Sequence, residues 1–152
     1  MTTKKQIIDD ILSQKDLAIV GCSRDSRKFG SNVLKELKKR GFNLYPIHRQ
    51  AKELECLPCY SAIEYLPDNV RTLILITPPE QTEILVREAS EKGIQRIWMQ
   101  QGAESQNAIH YCQENNILYV SGECIMMFAE PVGAIHWVHR AIWKLIGKYP
   151  KN

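Results

Sequence analysis

The chain has 152 residues, 44% of them hydrophobic and 24% charged, with a formal net charge of +3. This is chain enough for one domain with a proper core, and the charge is too slight to point to nucleic acid or a membrane surface. No apolar run approaches the ~20 residues of a membrane span, and five cysteines with no apolar export signal ahead of them point to reduced thiols in a cytoplasmic protein.

The first sixteen residues read as a short amphipathic helix with Ile7, Ile8, Ile11 and Leu12 inward. Leu17–Gly21 is a fully apolar strand that runs into the loop Cys22–Asn32 and a helix over Ser31–Arg40. A buried parallel strand that ends in glycine and hands over to a helix makes an anion site. Free backbone N–H groups and the positive end of the helix dipole converge there. This loop adds Arg24, Arg27 and Lys28, and it lacks the second glycine of G-x-G-x-x-G.

Further strands are expected at Asn43–His48, Thr72–Thr77, Arg96–Met99 and Ile117–Val120, with a short turn near Ser61–Tyr65 and helices at Pro79–Lys92 and Glu104–Asn115. Gly41, Gly93 and Asn116 stand where helices should stop. Strands alternating with helices of this length predict an α/β, three-layer Rossmann-like domain with a mostly parallel sheet of about five strands. One domain, residues 1–152, is expected, with its core at 17–125 and a C-terminal helix at 132–148. Trp137 and Trp143 on that helix pack on the sheet or form the surface for a homodimer or protein partner. His136 and His139 share a helical face, a spacing that suits a metal but lacks a third ligand.

Ligands of open parallel sheets sit beyond the C-terminal ends of the strands. At the second strand's end, where an NAD-binding chain carries Asp or Glu for the ribose diol, this chain has His48 and Arg49. Cations there favour a phosphorylated ribose, as in NADP or coenzyme A; the alternative is two solvated loop residues. Thr77, Pro78 and Pro79 close the third strand, with apolar rings that suit a purine. Gln100, Gln101 and Gly102 follow the fourth. Cys22, beside Arg24 and a helix N-terminus, is placed to favour its thiolate, and Cys56-Leu-Pro-Cys59 has redox spacing, although small buried cysteines explain that pair as well.

Taken in order, these corners resemble the coenzyme A-binding domain family, a fold shared with the N-terminal domain of the succinyl-CoA synthetase alpha subunit. The resemblance rests on VGCSRDSRKFGSNV, YPIHRQ, Leu57–Tyr60, ITPP, IWMQQGA and Glu123-Cys124-Ile125. It implies that Gly21, Ser23, Arg24 and Lys28 hold phosphates, that Thr77 and Pro78 line the nucleotide pocket, and that Gln100 and Gly102 face the ligand. Arg27, His48 and Arg49 join them as candidate binding residues on charge alone. The implied ligand is coenzyme A or an acyl-CoA, held by a non-catalytic carrier, sensor or accessory protein. The rivals are an NADP-dependent oxidoreductase and an interaction module with a vestigial nucleotide pocket.

Overall fold

A computed structural model describes residues 2–129. The expected helix 132–148, with Trp137, Trp143, His136 and His139, lies outside the described residues.

Helix α1 (Lys4–Ser13) opens on a capping box, in which Thr3 Oγ1 accepts from Gln6 N and Gln6 Oε1 accepts from Thr3 N. Ile8 and Ile11 are buried and Ile7 and Leu12 pack beside them, as the spacing predicts. The chain then forms β1 (Asp16–Val20), α2 (Phe29–Lys39), β2 (Asn43–Ile47), the two-residue strands β3 (Glu53–Leu54) and β4 (Leu57–Pro58), and β5 (Thr72–Leu75). It finishes with α3 (Pro79–Lys92), β6 (Arg96–Gln100), α4 (Gln106–Glu114) and β7 (Leu118–Glu123). Five strands pair in parallel in the order β2-β1-β5-β6-β7. The expected α/β, Rossmann-like arrangement is what forms.

Side chains alternate across β1 and so divide the core. Leu17 and Ile19 join α1 and α2 on one face, while Ala18 and Val20 join α3 and α4 on the other. Pro79 starts α3 where its missing N–H costs nothing, and Gly93 ends it in the left-handed region at φ +86°.

Two elements differ from expectation. The last strand reaches Glu123 rather than stopping at Val120, because a register irregularity opposite Trp98–Gln100 lets pairing resume at Gln100–Glu123. Trp98, fully buried, donates from Nε1 to Glu123 O at 3.2 Å across that irregularity. The β3–β4 hairpin has no counterpart among the expected elements. It covers the outer edge of β2 through Tyr60, whose N–H donates to Pro46 O and whose carbonyl accepts from His48 N, both at 2.9 Å.

Candidate functional site

β1 neighbours β5, although the chain visits β2 between them, so the connections leaving β1 and β5 diverge and open a crevice. A cavity of about 410 Å³ occupies this place, within the range of small-molecule sites. Gly21 and Cys22 line it from the end of β1, Ile47, His48 and Arg49 from the end of β2, and Ile76, Thr77 and Pro78 from the end of β5. Ser61, Ala62 and Ile63 form a further wall, and Gln81, Leu85 and Glu88 of α3 complete it.

The corner after β1 is built on two close approaches. Gly21 has φ +109°, and a β-carbon there would lie 2.0 Å from Ile76 O. A β-carbon on Gly30 would lie 2.1 Å from Gly21 O. Gly30 therefore lets the start of α2 press against the end of β1, as a packing glycine does in dinucleotide-binding corners. Its distance from Gly21 in sequence hid that role. Ser31, 1% exposed, clamps the loop from inside: its Oγ donates to Ser23 O at 2.7 Å and accepts from Ser23 N at 3.2 Å. The N-cap of α2 is Lys28, which offers no side-chain cap, and no acidic residue stands in the first turn. The first-turn amides and the positive dipole end are thus left for an anion.

The cations of this loop diverge. Arg24 reaches toward the β2 end, donating from Nη2 to Gln50 Oε1 at 3.2 Å. Arg27 is turned to Asp25, whose Oδ1 accepts from Arg27 Nε at 3.1 Å and from Arg27 N at 3.0 Å. Those bonds to the Arg27 side chain and backbone hold the Asp25 carboxyl below its usual range. Lys28 is exposed. Ser23 Oγ accepts from Asp25 N at 3.1 Å, closing a turn.

His48 has a defined tautomer. Its Nδ1 accepts from Gln50 N at 3.1 Å and from Ala51 N at 2.9 Å, so the neutral ring carries its proton on Nε2. That N–H has no partner among the described residues. Arg49 is exposed and likewise unpaired among them. Thr77, in the cavity lining, shares a hydrogen bond of 2.8 Å between its Oγ1 and Thr82 Oγ1.

The structure thus brings Gly21, His48, Arg49, Thr77 and Pro78 together around one cavity. Ser23, Arg24, Arg27 and Lys28 stand in the adjoining loop. Gln100 and Gly102 do not join them. Gln100 is 2% exposed, and its Oε1 accepts from Ile125 N at 3.1 Å; it is an internal tie rather than a rim group. Gly102 is exposed and donates to Glu104 Oε2 at 2.8 Å. Reading the sequence by strand ends overlooked Gln81, Leu85 and Glu88, whose i, i+4, i+7 spacing from the start of α3 was the available signal.

The cysteine expectations need correction. Cys22 is buried, its Sγ lies 3.3 Å from Gly30 O, and burial pushes the thiol up to about 12. Desolvation outweighs the helix N-terminus, so no thiolate is favoured. Cys56 is exposed on the hairpin turn and Cys59 lies along the following extended segment, half-buried. At ~3.3 Å per residue that segment separates them beyond the ~7 Å reach of a disulfide. Among the described residues no group of three or more His, Cys, Asp or Glu is placed to hold a metal ion, and no helix is long and apolar enough to cross a membrane.

Known proteins share this architecture. Over 92 residues the chain is 26% identical to the ADP-forming acetate–CoA ligase II subunit alpha of Pyrococcus furiosus, covering 60% of this chain and 20% of that one. Over 87 residues it is 33% identical to the ADP-forming acetate–CoA ligase II of Archaeoglobus fulgidus, covering 56% and 13%. The match therefore spans a fifth or less of those ligases. A solved structure of a conserved hypothetical protein from Pyrococcus furiosus superposes with a TM-score of 0.71 at 32% identity, over 74% of this chain and 97% of that one. With the pattern of the CoA binding domain matched across residues 15–130, the chain belongs to that family.

Proposed function

We propose that this protein binds coenzyme A or an acyl-CoA at the β1–β5 crevice. One observation supports the reading: donors from three elements lie at the same end of the sheet. The uncapped first turn of α2, Arg24 leaning toward Gln50, and the pair His48–Arg49 stand around or beside a single cavity. Coenzyme A brings a pyrophosphate and a ribose 3′-phosphate, and arginine meets such groups with directed, charge-assisted bonds. Each contributes ~1.5–3 kcal/mol when shielded, so a few satisfy the ~8 kcal/mol of a micromolar site even after ordering costs. The absence of a carboxylate at His48–Arg49 supports a phosphorylated ribose over a free diol.

The role we assign is non-catalytic: a cytoplasmic carrier, sensor or accessory chain. Cys22, the one thiol that lines the cavity, is held protonated by burial, so it offers no ready nucleophile. Partnership with a larger ligase is suggested by relatives whose matched segment is one part of a longer protein.

Calorimetric titration with coenzyme A, NADP and NAD tests this. Micromolar binding of coenzyme A, weaker binding of NADP and the weakest of NAD are expected, and Arg24→Ala should weaken coenzyme A binding more than Cys22→Ala does. Millimolar or undetectable binding of coenzyme A would reject the reading. NADP as the tightest ligand would favour the oxidoreductase, and no nucleotide binding at all the interaction module.

A further inference from the structure

The cavity has two unlike ends. At one, His48 presents an Nε2–H that its own tautomer fixes as a donor, and Arg49 stands beside it. At the other stands Glu88, in the third turn of α3. Gln81 and Glu88 are seven residues apart on one helix face, ~10 Å along its axis. The lining also carries the apolar side chains of Ile63, Leu85 and Pro78.

Glu88 is not neutralised by its neighbours. Arg87 lies over the Tyr111 ring, 4.7 Å from its centroid, and Lys92 pairs with Asp68 at 3.1 Å. No described residue forms an ion pair or hydrogen bond with the Glu88 carboxylate. A second cavity of about 350 Å³ adjoins the first, shares Ala62 and Glu88 with it, and adds Glu64, Glu91 and Lys92, the last already paired with Asp68. Beyond Glu88 three carboxylates face one lysine that Asp68 already neutralises, a net acidic balance that disfavours a phosphate.

We infer that Glu88 reads the base of the bound nucleotide, accepting a hydrogen bond from the exocyclic amine of adenine. This rests on the coenzyme A reading above and specifies which part of the ligand lies where. An acceptor-only group at one end and a donor pair at the other admit one orientation: amine toward Glu88, phosphorylated ribose toward His48 and Arg49. Leu85 and Ile63 bracket the ring between them. A base that offers a carbonyl in place of the amine would set oxygen against carboxylate. A site built to pair one polar group rejects the analogue that leaves its own group unpaired.

The test compares adenosine 3′,5′-bisphosphate, the nucleotide part of coenzyme A, with inosine 3′,5′-bisphosphate by calorimetry. The wild-type chain should bind the adenosine compound at least tenfold more tightly. Glu88→Ala should bring the ratio near one. Glu88→Gln, whose amide can donate to the inosine carbonyl, should raise inosine affinity relative to the wild type. Glu91→Ala removes the same charge from the second cavity alone and should keep the tenfold preference. Equal binding of both compounds by the wild type, or a preference that survives in Glu88→Ala, would overturn the base-reading role and leave the coenzyme A reading standing. Failure of both compounds to bind would overturn the two together.

Discussion

Cys22 stands one residue past Gly21, under the first turn of α2 and two residues from Arg24. In an open corner this would be a reactive position. Here the thiol lies against Gly30 O in a site that Gly30 itself makes tight, because its missing β-carbon lets α2 settle onto the corner. Burial then dominates over the dipole and holds the thiol at about 12. Cys112, on the buried face of α4, is pushed up to about 12 by the same cause. Cys56 is exposed at the hairpin turn. Brief alkylation of the native protein at pH 8, followed by peptide mass mapping, should therefore label Cys56 first. Cys22 and Cys112 should remain unlabelled until denaturant is added. Rapid labelling of native Cys22 would show that its thiolate is accessible and that desolvation does not control it.

The β3–β4 hairpin is the element that ordinary patterns conceal. Its two-residue turn, Glu55–Cys56, has both residues at positive φ, +49° and +62°, the geometry of a type I′ turn that Asn-Gly or Gly-Gly would normally announce. Lys38 Nζ donates to Glu55 O at 2.8 Å and steadies the turn against α2. A non-glycine residue in the left-handed region costs ~1–2 kcal/mol, and glycine returns ~0.5–1 kcal/mol of that through its freer unfolded chain. Cys56→Gly should therefore raise unfolding stability by roughly 0.5–1 kcal/mol, seen as a higher urea midpoint at unchanged slope. A lower midpoint would mean that Cys56 contributes packing there that outweighs its strained backbone. The contrast with the main sheet is instructive. Leu17–Gly21 and Thr72–Thr77 are continuous apolar runs bounded by glycine or proline, and the structure forms strands within one or two residues of both. Burial on both faces writes itself plainly into composition. Two-residue strands with turn residues of the wrong type leave no such trace. The candidate site was legible to the same degree. Gly21, His48, Arg49, Thr77 and Pro78 follow from topology, since strand ends can be counted. Gly30, Ser31 and Glu88 depend on packing between elements and on where α3 points, which no local pattern states. Gln100 misled because a polar residue at a strand end is as useful for tying Ile125 N as for meeting a ligand.

Across the whole molecule the sheet separates two cores, and the site belongs mainly to one. Val20, Ile47, Ile63 and Leu85 line the cavity and are part of the core under α3. The other core gathers α1 and α2 around Leu17, Ile19 and Leu34. Helix α1 is fastened there by Ile8 and Ile11, with Arg96 Nε donating to Asp10 Oδ2 at 2.5 Å and Lys4 paired to the buried Glu123. None of these α1 contacts reaches a cavity-lining residue through a hydrogen bond. Stability and ligand affinity should therefore separate. Ile11 is fully buried, and Ile11→Ala should cost about 2–4 kcal/mol of unfolding free energy through lost transfer and a residual cavity. In the fraction that stays folded, coenzyme A affinity should change by less than about twofold, because distant sites without shared partners add independently. Leu85→Ala removes a side chain common to core and cavity, so both quantities should fall together. Paired denaturation and calorimetry on the two variants resolve the question. A tenfold loss of affinity in Ile11→Ala would show that the two faces of the sheet act as one unit. The crevice would then depend on the packing of α1, through the sheet, as much as on the corner after β1.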